Sequence, residues 1–257
     1  MGKEPDLRGF TASNIWRMKQ FYETYKDKER LAPLARELDW SHDLIIRSRC
    51  KSVEKREFYL RCGAQNGYSK RELDRQIASG LYERSAGPQD LSSSVTEIHP
   101  AAPAVFRDTC MLASLDLSKH HDEDELRRAL VAHLKGFILE LGGAFTFIAQ
   151  EFRLQVGDND FFCDLVFFHR ELQCLVVFEL KVDKFRPEHM GQLKFYLEAL
   201  DRNVREPHEK SSIGVLLCKD KDNEVVEYAL SRAVSPTVIA QYETRLIPRD
   251  VLRRKLH

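Results

Sequence analysis

The stretch Cys174-Leu-Val-Val-Phe-Glu-Leu-Lys181 is apolar until its end, where a carboxylate and an ammonium interrupt it. A short apolar run of this kind predicts a buried β-strand. Side chains alternate between the two faces of a strand, so Glu179 and Lys181 point to one side and Leu180 points to the other. The stretch therefore predicts a carboxylate and an ammonium side by side at the end of a strand.

A second apolar run, Phe161-Phe-Cys-Asp-Leu-Val-Phe-Phe168, precedes this strand and contains a single acid, Asp164. The connector of residues 169–173 is short enough for the two runs to pair as an antiparallel hairpin. Such a hairpin brings Asp164 opposite Glu179 to within a residue or two. We therefore predict two carboxylates and one ammonium on a shared face.

This set of groups suits the hydrolysis of a phosphodiester bond. Carboxylate oxygens bind a hard cation such as Mg²⁺, which can activate water and offset the charge of the phosphate. A lysine beside them can orient the water or stabilise the developing anion. The alternative interpretation is structural: Asp164 merely interrupts a strand, and Glu179 and Lys181 are solvated where the next strand leaves the core.

The residues upstream favour the catalytic interpretation. An apolar stripe at helical spacing predicts an amphipathic helix that ends at Gly142, with Glu140 in its last turn. The acidic run at residues 122–125 is interpreted as the beginning of a helix, where acids interact favourably with the helix dipole. A strand is predicted near residues 151–156. The stripe consists of Leu126, Leu130, Leu134, Phe137, Ile138 and Leu141.

The residues downstream complete the pattern. Pro187 stands at a predicted first helical turn, and Gln192 and Tyr196 lie four residues apart on one face of that helix. A strand is predicted at residues 213–218. The resulting order is α-β-β-β-α-β, so we predict an α/β restriction-endonuclease-like core with a mixed sheet, preceded by an all-α domain.

These motifs resemble those of a known family. Residues 103–247 are similar to the C-terminal nuclease domain of YhcG-type (DUF1016) proteins in the PD-(D/E)XK nuclease superfamily. The matching segments are Phe137-Ile-Leu-Glu-Leu-Gly142, Phe162-Cys-Asp-Leu-Val-Phe-Phe168, Leu175-Val-Val-Phe-Glu-Leu-Lys181, Gly191-Gln-Leu-Lys-Phe-Tyr196 and Ile213-Gly-Val-Leu-Leu-Cys-Lys219.

The N-terminal part of the chain resembles the N-terminal region of the same family over residues 10–84. Family members usually carry a further helical segment ahead of the Asn14 motif, and this chain starts close to that motif. The matching segments are Asn14-Ile-Trp-Arg-Met-Lys-Gln-Phe-Tyr22, Trp40-Ser-His42, Arg56-Glu-Phe-Tyr-Leu60 and Arg71-Glu-Leu-Asp-Arg-Gln-Ile77.

The resemblance implies roles for individual residues. Asp164 and Glu179 are expected to hold Mg²⁺, or Mn²⁺ in its place, with help from the Leu180 carbonyl. Lys181 is expected to serve the attacking water. Glu140 matches the helix carboxylate found in many members of the superfamily and is expected to be a further metal ligand.

The resemblance also bears on the substrate and its setting. Gln192 and Tyr196 match the Q-x-x-x-Y element of RecB-like members, which implies support of the substrate or the active site. The family context implies a role in phage defence or in mobile elements. DNA is the expected substrate. An RNA-directed nuclease and a nucleic-acid-binding or assembly protein with a weakly active nuclease fold are the alternatives.

Residues 1–84 are predicted to form a helical domain. Two short helices joined at Asp39-Trp40 are compatible with a helix-turn-helix, although any small helical bundle produces this pattern. A linker is predicted at residues 85–103 and the nuclease domain at residues 104–257. The first domain is expected to bind DNA or to assemble the chain into a homo-oligomer; a solvated helix face is the alternative for each of its charges. Its candidate nucleic-acid contacts are Arg47, Arg49, Lys51, Lys55 and Arg56.

Composition is compatible with this assignment. The 257 residues carry a formal net charge of zero, which does not exclude a nuclease because affinity depends on the local placement of Lys and Arg. No apolar stretch reaches membrane-spanning length, and the N-terminus lacks a signal-peptide core. Six cysteines without a CxxC pair predict buried thiols in a reducing cytoplasm.

Overall fold

A computed structural model describes residues 11–26, 31–86, 89–112, 115, 117 and 121–244. The chain divides into two compact units, residues 1–77 and residues 78–257. Within the described ranges, no helix has both the length and the apolar character needed to cross a membrane. The start of the predicted helical domain, residues 1–10, and the end of the predicted nuclease domain, residues 245–257, lie outside the described residues.

The first unit is helical, in agreement with the sequence pattern. Side-chain caps begin three of its helices: the hydroxyls of Thr11, Ser52 and Ser69 accept hydrogen bonds from the N–H groups of Asn14, Lys55 and Glu72, respectively. The helices are α1 (Ala12–Tyr25), α2 (Leu31–Arg36), α3 (Trp40–Arg49), α4 (Val53–Asn66) and α5 (Lys70–Ala78).

The second unit is built on a six-stranded mixed sheet. Its strands are β1 (Thr109–Met111), β2 (Phe145–Val156), β3 (Asn159–His169), β4 (Cys174–Lys184), β5 (Lys210–Asp220) and β6 (Thr237–Glu243). They lie side by side in the order β1-β6-β5-β4-β3-β2. Strands β2, β3 and β4 pair antiparallel, whereas β4, β5, β6 and β1 pair parallel.

Helices precede and interrupt the strands of this sheet. They are α6 (Leu81–Ala86), α7 (Ser93–Ile98), α8 (Ala102–Val105), α9 (Glu123–Ala132), α10 (Leu134–Leu141), α11 (His189–Asn203) and α12 (Asn223–Leu230). The succession α10, β2, β3, β4, α11, β5 is the predicted α-β-β-β-α-β order. The restriction-endonuclease-like core predicted from the sequence is therefore present.

The sheet buries apolar side chains on both faces. Phe178 and Leu180 of β4 belong to one core, which also contains Phe137 of α10. Val177 belongs to the other core, together with Leu193 of α11. Because side chains alternate along β4, Glu179 and Lys181 lie on the face that α11 covers.

One predicted helix proves to be two. The apolar stripe from Leu126 to Leu141 is divided at His133, whose φ of −110° and ψ of 30° are not helical. Helices α9 and α10 are therefore separate elements, although they share the apolar periodicity that predicted a single helix, and α9 contacts β4 whereas α10 contacts β1 and β2. This break allows the two helices to contact different parts of the sheet.

The segment predicted as a linker packs on the second unit. The Ser92 N–H donates to the Thr237 carbonyl across 2.9 Å, Leu91 forms a β-bridge with Val238, and Val95 is fully buried in the core. The Ser, Pro and Ala content of residues 85–103 suggested a linker, but the apolar residues among them are used for packing. The boundary between the two compact units lies earlier, after residue 77.

Candidate active site

Asp164 and Glu179 meet where the ladder between β3 and β4 ends. The last pair of that ladder is Leu165 with Phe178, so the two acids occupy the next positions on the two strands. The Leu180 N–H donates to Asp164 Oδ2 across 2.9 Å, which ties the acid of β3 to the backbone of β4. The hairpin register predicted from the sequence is confirmed, and it brings the two carboxylate-bearing positions together.

Glu179 is a buried acid with an unsatisfied oxygen. Only 3% of the residue is exposed, and its Oε1 accepts a hydrogen bond from Lys181 Nζ across 3.1 Å. Its Oε2 is buried and has no hydrogen-bond partner among the described residues. Burial, reinforced by the charge of Asp164, raises the pKa of Glu179 to about 7, although Lys181 acts in the opposite direction. A buried acceptor without a partner is the kind of atom that a cation would satisfy.

Lys181 links this strand to helix α9. Its Nζ lies 3.1 Å from Glu179 Oε1 and 3.3 Å from Glu123 Oε2 in the first turn of α9. Burial alone would lower the pKa of Lys181, but the two acids outweigh it and the net shift is upward. The side chain is therefore an ammonium at neutral pH. It can donate hydrogen bonds and stabilise negative charge, but it does not accept a proton there.

Arg127 is a second cation at the site. Its Nη1 donates to Asp164 Oδ1 across 2.9 Å, and its Nη2 contacts Asp124 at 2.6 Å and Glu151 at 3.1 Å. Neither Glu123 nor Arg127 was predicted as a site residue: the helix dipole already accounts for an acid such as Glu123 in a first turn, and Arg127 lies outside the quoted motifs. Their i, i+4 spacing on one helix face was the available signal.

Formal charge favours a cation at this end of the sheet. Five carboxyl groups meet two cations, Lys181 and Arg127, which leaves a formal excess of three negative charges when all five are ionised and of two when Glu179 is protonated. Like charges held this close in a partly buried site attract a counter-ion. The carboxylates belong to Glu123, Asp124, Glu151, Asp164 and Glu179.

Gln192 and Tyr196 form a hydrogen-bonded pair on α11. Gln192 Nε2 donates to Tyr196 Oη across 2.7 Å, and Tyr196 is buried in the core between α11 and the sheet. Burial raises the pKa of Tyr196, the Gln192 hydrogen bond lowers it, and the charges of Glu179 and Asp164 raise it further. The hydroxyl therefore lies within electrostatic reach of both acids. The predicted i, i+4 pair is present and adjoins the site.

Glu140 lies away from this site, and its predicted role as a metal ligand is corrected. It is a buried residue of α10 that forms an ion pair with Arg84 and accepts the Met111 N–H across 2.8 Å. Helix α10 packs on the face of the sheet that carries Phe178, opposite the face that carries Glu179. Burial opposes ionisation, but Arg84 and Arg107 outweigh it, so the pKa of Glu140 is lowered. The Oε1 of this carboxylate is part of a buried ion pair, while its Oε2 has no hydrogen-bond partner among the described residues.

Two of the predicted nucleic-acid contacts are used inside the first unit. Arg47 has a side chain only 9% exposed, and its Nε lies 2.6 Å from Asp43 Oδ2. Its guanidinium also lies over the rings of Phe21 and Trp40. Arg56 donates its Nε–H to the Cys50 carbonyl across 2.9 Å. The prediction that Arg47 contacts nucleic acid is therefore corrected, because its side chain is buried against Asp43 and the two rings.

The remaining three basic residues lie nearer the surface. Arg49 forms an ion pair with Asp74, with 2.6 Å between Nε and Oδ1, and both side chains are substantially exposed. Lys51 is exposed and Lys55 is half-buried. A phosphate can compete for Arg49 because an exposed pair contributes little stability. These three residues remain the candidates for a nucleic-acid contact.

The set of metal-binding donors around Asp164 and Glu179 is small. In the described ranges of the chain, no group of three or more His, Cys, Asp and Glu side chains is arranged to hold a metal ion. The residues here that could hold a cation are Asp164 and Glu179, and the family resemblance adds the backbone carbonyl of Leu180, with water in the other positions. Mg²⁺ is commonly bound in this way, by one or two carboxylates and several waters.

An acid on β3, together with an acid and a lysine on the neighbouring strand β4, in a sheet with the α-β-β-β-α-β order, defines a nuclease domain of the PD-(D/E)XK class. Comparison of the sequence with family models agrees: residues 103–257 match the YhcG PDDEXK nuclease domain, and residues 2–84 match the DUF1016 N-terminal domain. The chain belongs to the YhcG family of nuclease-domain proteins. It is 31% identical over 272 residues to "Putative nuclease YhcG" of Escherichia coli (strain K12), covering 93% of this chain and 72% of that relative.

Solved structures with a similar part include a repair endonuclease and EndoMS. A repair endonuclease from Pyrococcus abyssi aligns with a TM-score of 0.33 and 17% identity, covering 51% of this chain and 50% of that chain. An EndoMS–dsDNA complex aligns with a TM-score of 0.34 and 17% identity, covering 50% of this chain and 47% of that chain. This protein thus spans about half the length of each.

Proposed function

We propose that this protein is a metal-dependent nuclease that hydrolyses phosphodiester bonds in DNA. The observation that carries the proposal is the unsatisfied Oε2 of Glu179, buried next to Asp164 in a site with an excess of negative charge. Family membership supports nuclease chemistry, and the donor set supports the requirement for a divalent cation.

Asp164, Glu179 and the Leu180 carbonyl would hold Mg²⁺, or Mn²⁺ in its place. The bound ion would supply charge to offset that of the phosphate and would lower the pKa of a bound water. Leu180 N–H orients Asp164 for this task, since it restrains Oδ2. The site therefore combines a fixed carboxylate from β3 with a buried carboxylate from β4.

Lys181 supplies a positive charge directed at the reacting group. Because it remains protonated between Glu179 and Glu123, it can donate to the attacking water or to a phosphate oxygen as negative charge develops. Tyr196 accepts the Gln192 amide hydrogen, which leaves its own O–H to donate towards the site. We assign Gln192 and Tyr196 to the positioning of substrate or water.

A cleavage assay on the full chain tests this proposal. Supercoiled, linear and single-stranded DNA are incubated with Mg²⁺, with Mn²⁺ or with EDTA, beside an RNA of matching sequence. The expected result is cleavage of DNA with either ion and none in EDTA or with the Glu179→Gln variant. The reacting phosphodiester is common to DNA and RNA. Cleavage of RNA but not of DNA would show that RNA is the substrate. Cleavage that survives EDTA would overturn the metal requirement.

For the first unit we propose a contact with the nucleic-acid backbone through Arg49, Lys51 and Lys55. The test is the affinity of the full chain for a fluorescent duplex in EDTA, measured as salt is raised. Replacing Lys51 and Lys55 with Gln should weaken binding and reduce the slope of log affinity against log salt by about two. An Arg49→Gln variant should add a further, similar reduction.

The competing role for this unit is assembly of the chain. Helix α1 exposes Ile15, Trp16 and Tyr22 in the described structure, an apolar surface of the kind found at protein contacts. Unchanged binding in the Lys51 and Lys55 variants, together with a dimer in light scattering that Trp16→Ser and Tyr22→Ser dissociate, would establish assembly in place of the backbone contact.

A further inference from the structure

Arg127 occupies a position that the proposed mechanism has not used. Its guanidinium donates to the Oδ1 of Asp164 across 2.9 Å, while the other oxygen of that acid accepts the Leu180 N–H. Both oxygens of a proposed metal ligand are therefore engaged by other groups of the chain, one by the backbone and one by a guanidinium. Of these two partners, only Arg127 can leave without breaking the sheet.

We propose that Arg127 is the resident counter-ion of the metal-free site: it holds Asp164 in place, yields Oδ1 when a divalent ion binds, and then contacts the phosphate of the substrate. The inference rests on the proposed function, since it takes Asp164 to be a metal ligand. Arg127 is a positioning residue in the first state and a substrate contact in the second.

The neighbours of Arg127 show where it would move. Its Nη2 also contacts Asp124 and Glu151, whose side chains are 68% and 56% exposed, whereas Asp164 is 13% exposed. These two acids form an anchorage on the solvent side of the site. A guanidinium released from Asp164 therefore stays at the rim, where a phosphate would arrive, and its planar fork suits a phosphate.

The backbone at Glu151 supports a functional reason for this arrangement. Glu151 has a φ of 47°, a left-handed conformation that is uncommon for a residue with a side chain, within strand β2. The ladder between β2 and β3 also shifts register close by, between Phe147 and Ala149. Strained backbone of this kind is concentrated at functional sites. Here it accompanies a carboxylate that contacts Arg127.

Electrostatics explain why the metal and Arg127 would compete. A guanidinium within hydrogen-bond distance of an oxygen repels a divalent ion that coordinates the same oxygen, and the low exposure of Asp164 limits screening by water. Metal binding and the Arg127 contact are therefore coupled with opposite signs. Removal of the Arg127 charge should tighten metal binding.

A metal titration on the full chain tests this coupling. Arg127→Gln should bind Mn²⁺ more tightly than the wild type by roughly fivefold or more in isothermal titration calorimetry. Arg128→Gln is the matched control, because Arg128 is the next residue of α9, is exposed and donates to the Asp124 carbonyl. It removes the same charge and should leave Mn²⁺ affinity near the wild-type value. Equal affinities in all three proteins, or equal tightening in both variants, would overturn the proposal.

The second measurement tests whether Arg127 contacts the substrate phosphate after it leaves Asp164 or has only a structural role. In single-turnover cleavage, Arg127→Gln should be slower than the wild type although it binds Mn²⁺ more tightly. Arg127→Lys should restore Mn²⁺ affinity towards the wild-type value, because it keeps a cation beside Asp164. Wild-type cleavage rates in Arg127→Gln would remove the phosphate contact from the proposal.

Two further measurements test whether Arg127→Gln affects folding and whether Asp164 is a metal ligand. If Arg127→Gln lowers the unfolding temperature in EDTA, the stabilisation gained on adding Mn²⁺ should still exceed that of the wild type, and a smaller gain would count against the proposal. Asp164→Asn should lose Mn²⁺ binding. Wild-type Mn²⁺ affinity in Asp164→Asn would show that the proposed metal site itself is wrong. If Asp164→Asn loses Mn²⁺ binding but Arg127→Gln does not bind Mn²⁺ more tightly than the wild type, only the counter-ion role of Arg127 is rejected.

Discussion

The Leu180 N–H donates a hydrogen bond to Asp164, with 2.9 Å between N and Oδ2, so the strand that presents Glu179 and Lys181 also holds the acid of the neighbouring strand. This contact replaces the ladder pairing that ends at Leu165 and Phe178. The geometry of the site is therefore built into the sheet itself. Sites on strands are held more rigidly than sites on loops.

Loss of either carboxylate should abolish cleavage. Asp164→Asn and Glu179→Gln should each reduce the single-turnover rate at least about a thousandfold, because each removes a ligand whose charge the cation needs. Binding of duplex DNA should persist in both, since it rests on contacts elsewhere. Asp160→Asn is the control: it lies on the same strand but pairs with Arg153 at the surface. Full activity in Asp164→Asn would assign the cleavage to another site.

Lys181 should matter for the chemical step and not for metal binding. Lys181→Ala should slow cleavage by about 10²- to 10³-fold, because its charge is needed most as negative charge develops on the phosphate. Its Mn²⁺ affinity should be no weaker than that of the wild type. Lys184→Ala is a suitable control, since Lys184 lies on the same strand with an exposed side chain paired to Asp222. Loss of Mn²⁺ binding in Lys181→Ala would contradict this assignment.

Metal binding should release a proton below neutral pH. The pKa of Glu179 is raised to about 7 by burial and by Asp164, so at pH 6 the metal-free carboxyl is protonated and a divalent ion must displace that proton. Mn²⁺ affinity should therefore fall roughly tenfold for each pH unit below 7 and level off above it. Calorimetry at pH 6 in buffers of different ionisation enthalpy should detect about one released proton. Release of none would contradict the prediction.

The Gln192 and Tyr196 pair should have a milder effect. Neither residue supplies charge to a cation, so Gln192→Ala and Tyr196→Phe should slow cleavage by about tenfold to a hundredfold and leave Mn²⁺ affinity unchanged. The size of the loss should vary with the substrate form. Single-turnover rates on linear and single-stranded DNA measure it. A complete loss of metal binding in Tyr196→Phe would place the hydroxyl in the metal site.

Glu140 should affect stability and not catalysis. Glu140→Gln leaves Arg84 buried without its counter-charge, so the free energy of unfolding in urea should fall by about 3 kcal/mol. The double variant Arg84→Met and Glu140→Met should recover part of that loss, since it removes both charges. Mn²⁺ affinity and the cleavage rate of the folded protein should match the wild type. If Glu140→Gln had wild-type stability but no cleavage activity, Glu140 would have to be part of the active site.

The lowered pKa of Glu140 also sets the direction of a pH effect. A depressed folded-state pKa contributes stability that is complete above the ordinary pKa of the group and is lost as pH falls through the folded-state value. The wild type should therefore lose stability in acid more steeply than Glu140→Gln. Urea denaturation at a series of pH values below 4.5 measures the difference.

Much of the site follows from local pattern. Alternation along β4 puts Glu179 and Lys181 on one face, because the pleat of a strand has a period of two. The short connector after His169 limits how β3 and β4 can pair, so Asp164 arrives near Glu179. Helical spacing likewise pairs Gln192 with Tyr196. Each of these relationships depends on the geometry of a few consecutive residues, and each was predicted.

Other relationships depend on packing between residues far apart in the chain. Arg127 is 37 residues from Asp164, and Lys181 is 58 residues from Glu123. Their contacts require α9 to end at His133 and to pack beside β4 independently of α10. Apolar periodicity identifies the buried face of a helix but not the element that covers it, so these partners were missed.

The same limit explains the two corrected residues. Glu140 lies in a helix turn that matches the family motif, but the packing of α10 directs its carboxylate to Arg84 on the other face of the sheet. Arg47 lies near the end of a helix, where a solvent-exposed position was expected, but Asp43 and two aromatic rings enclose it. Strand periodicity and the short connector after His169 were enough to put Asp164, Glu179 and Lys181 together. The tertiary structure decided which other charges reach them, because only the packing of distant elements determines which side chains become neighbours.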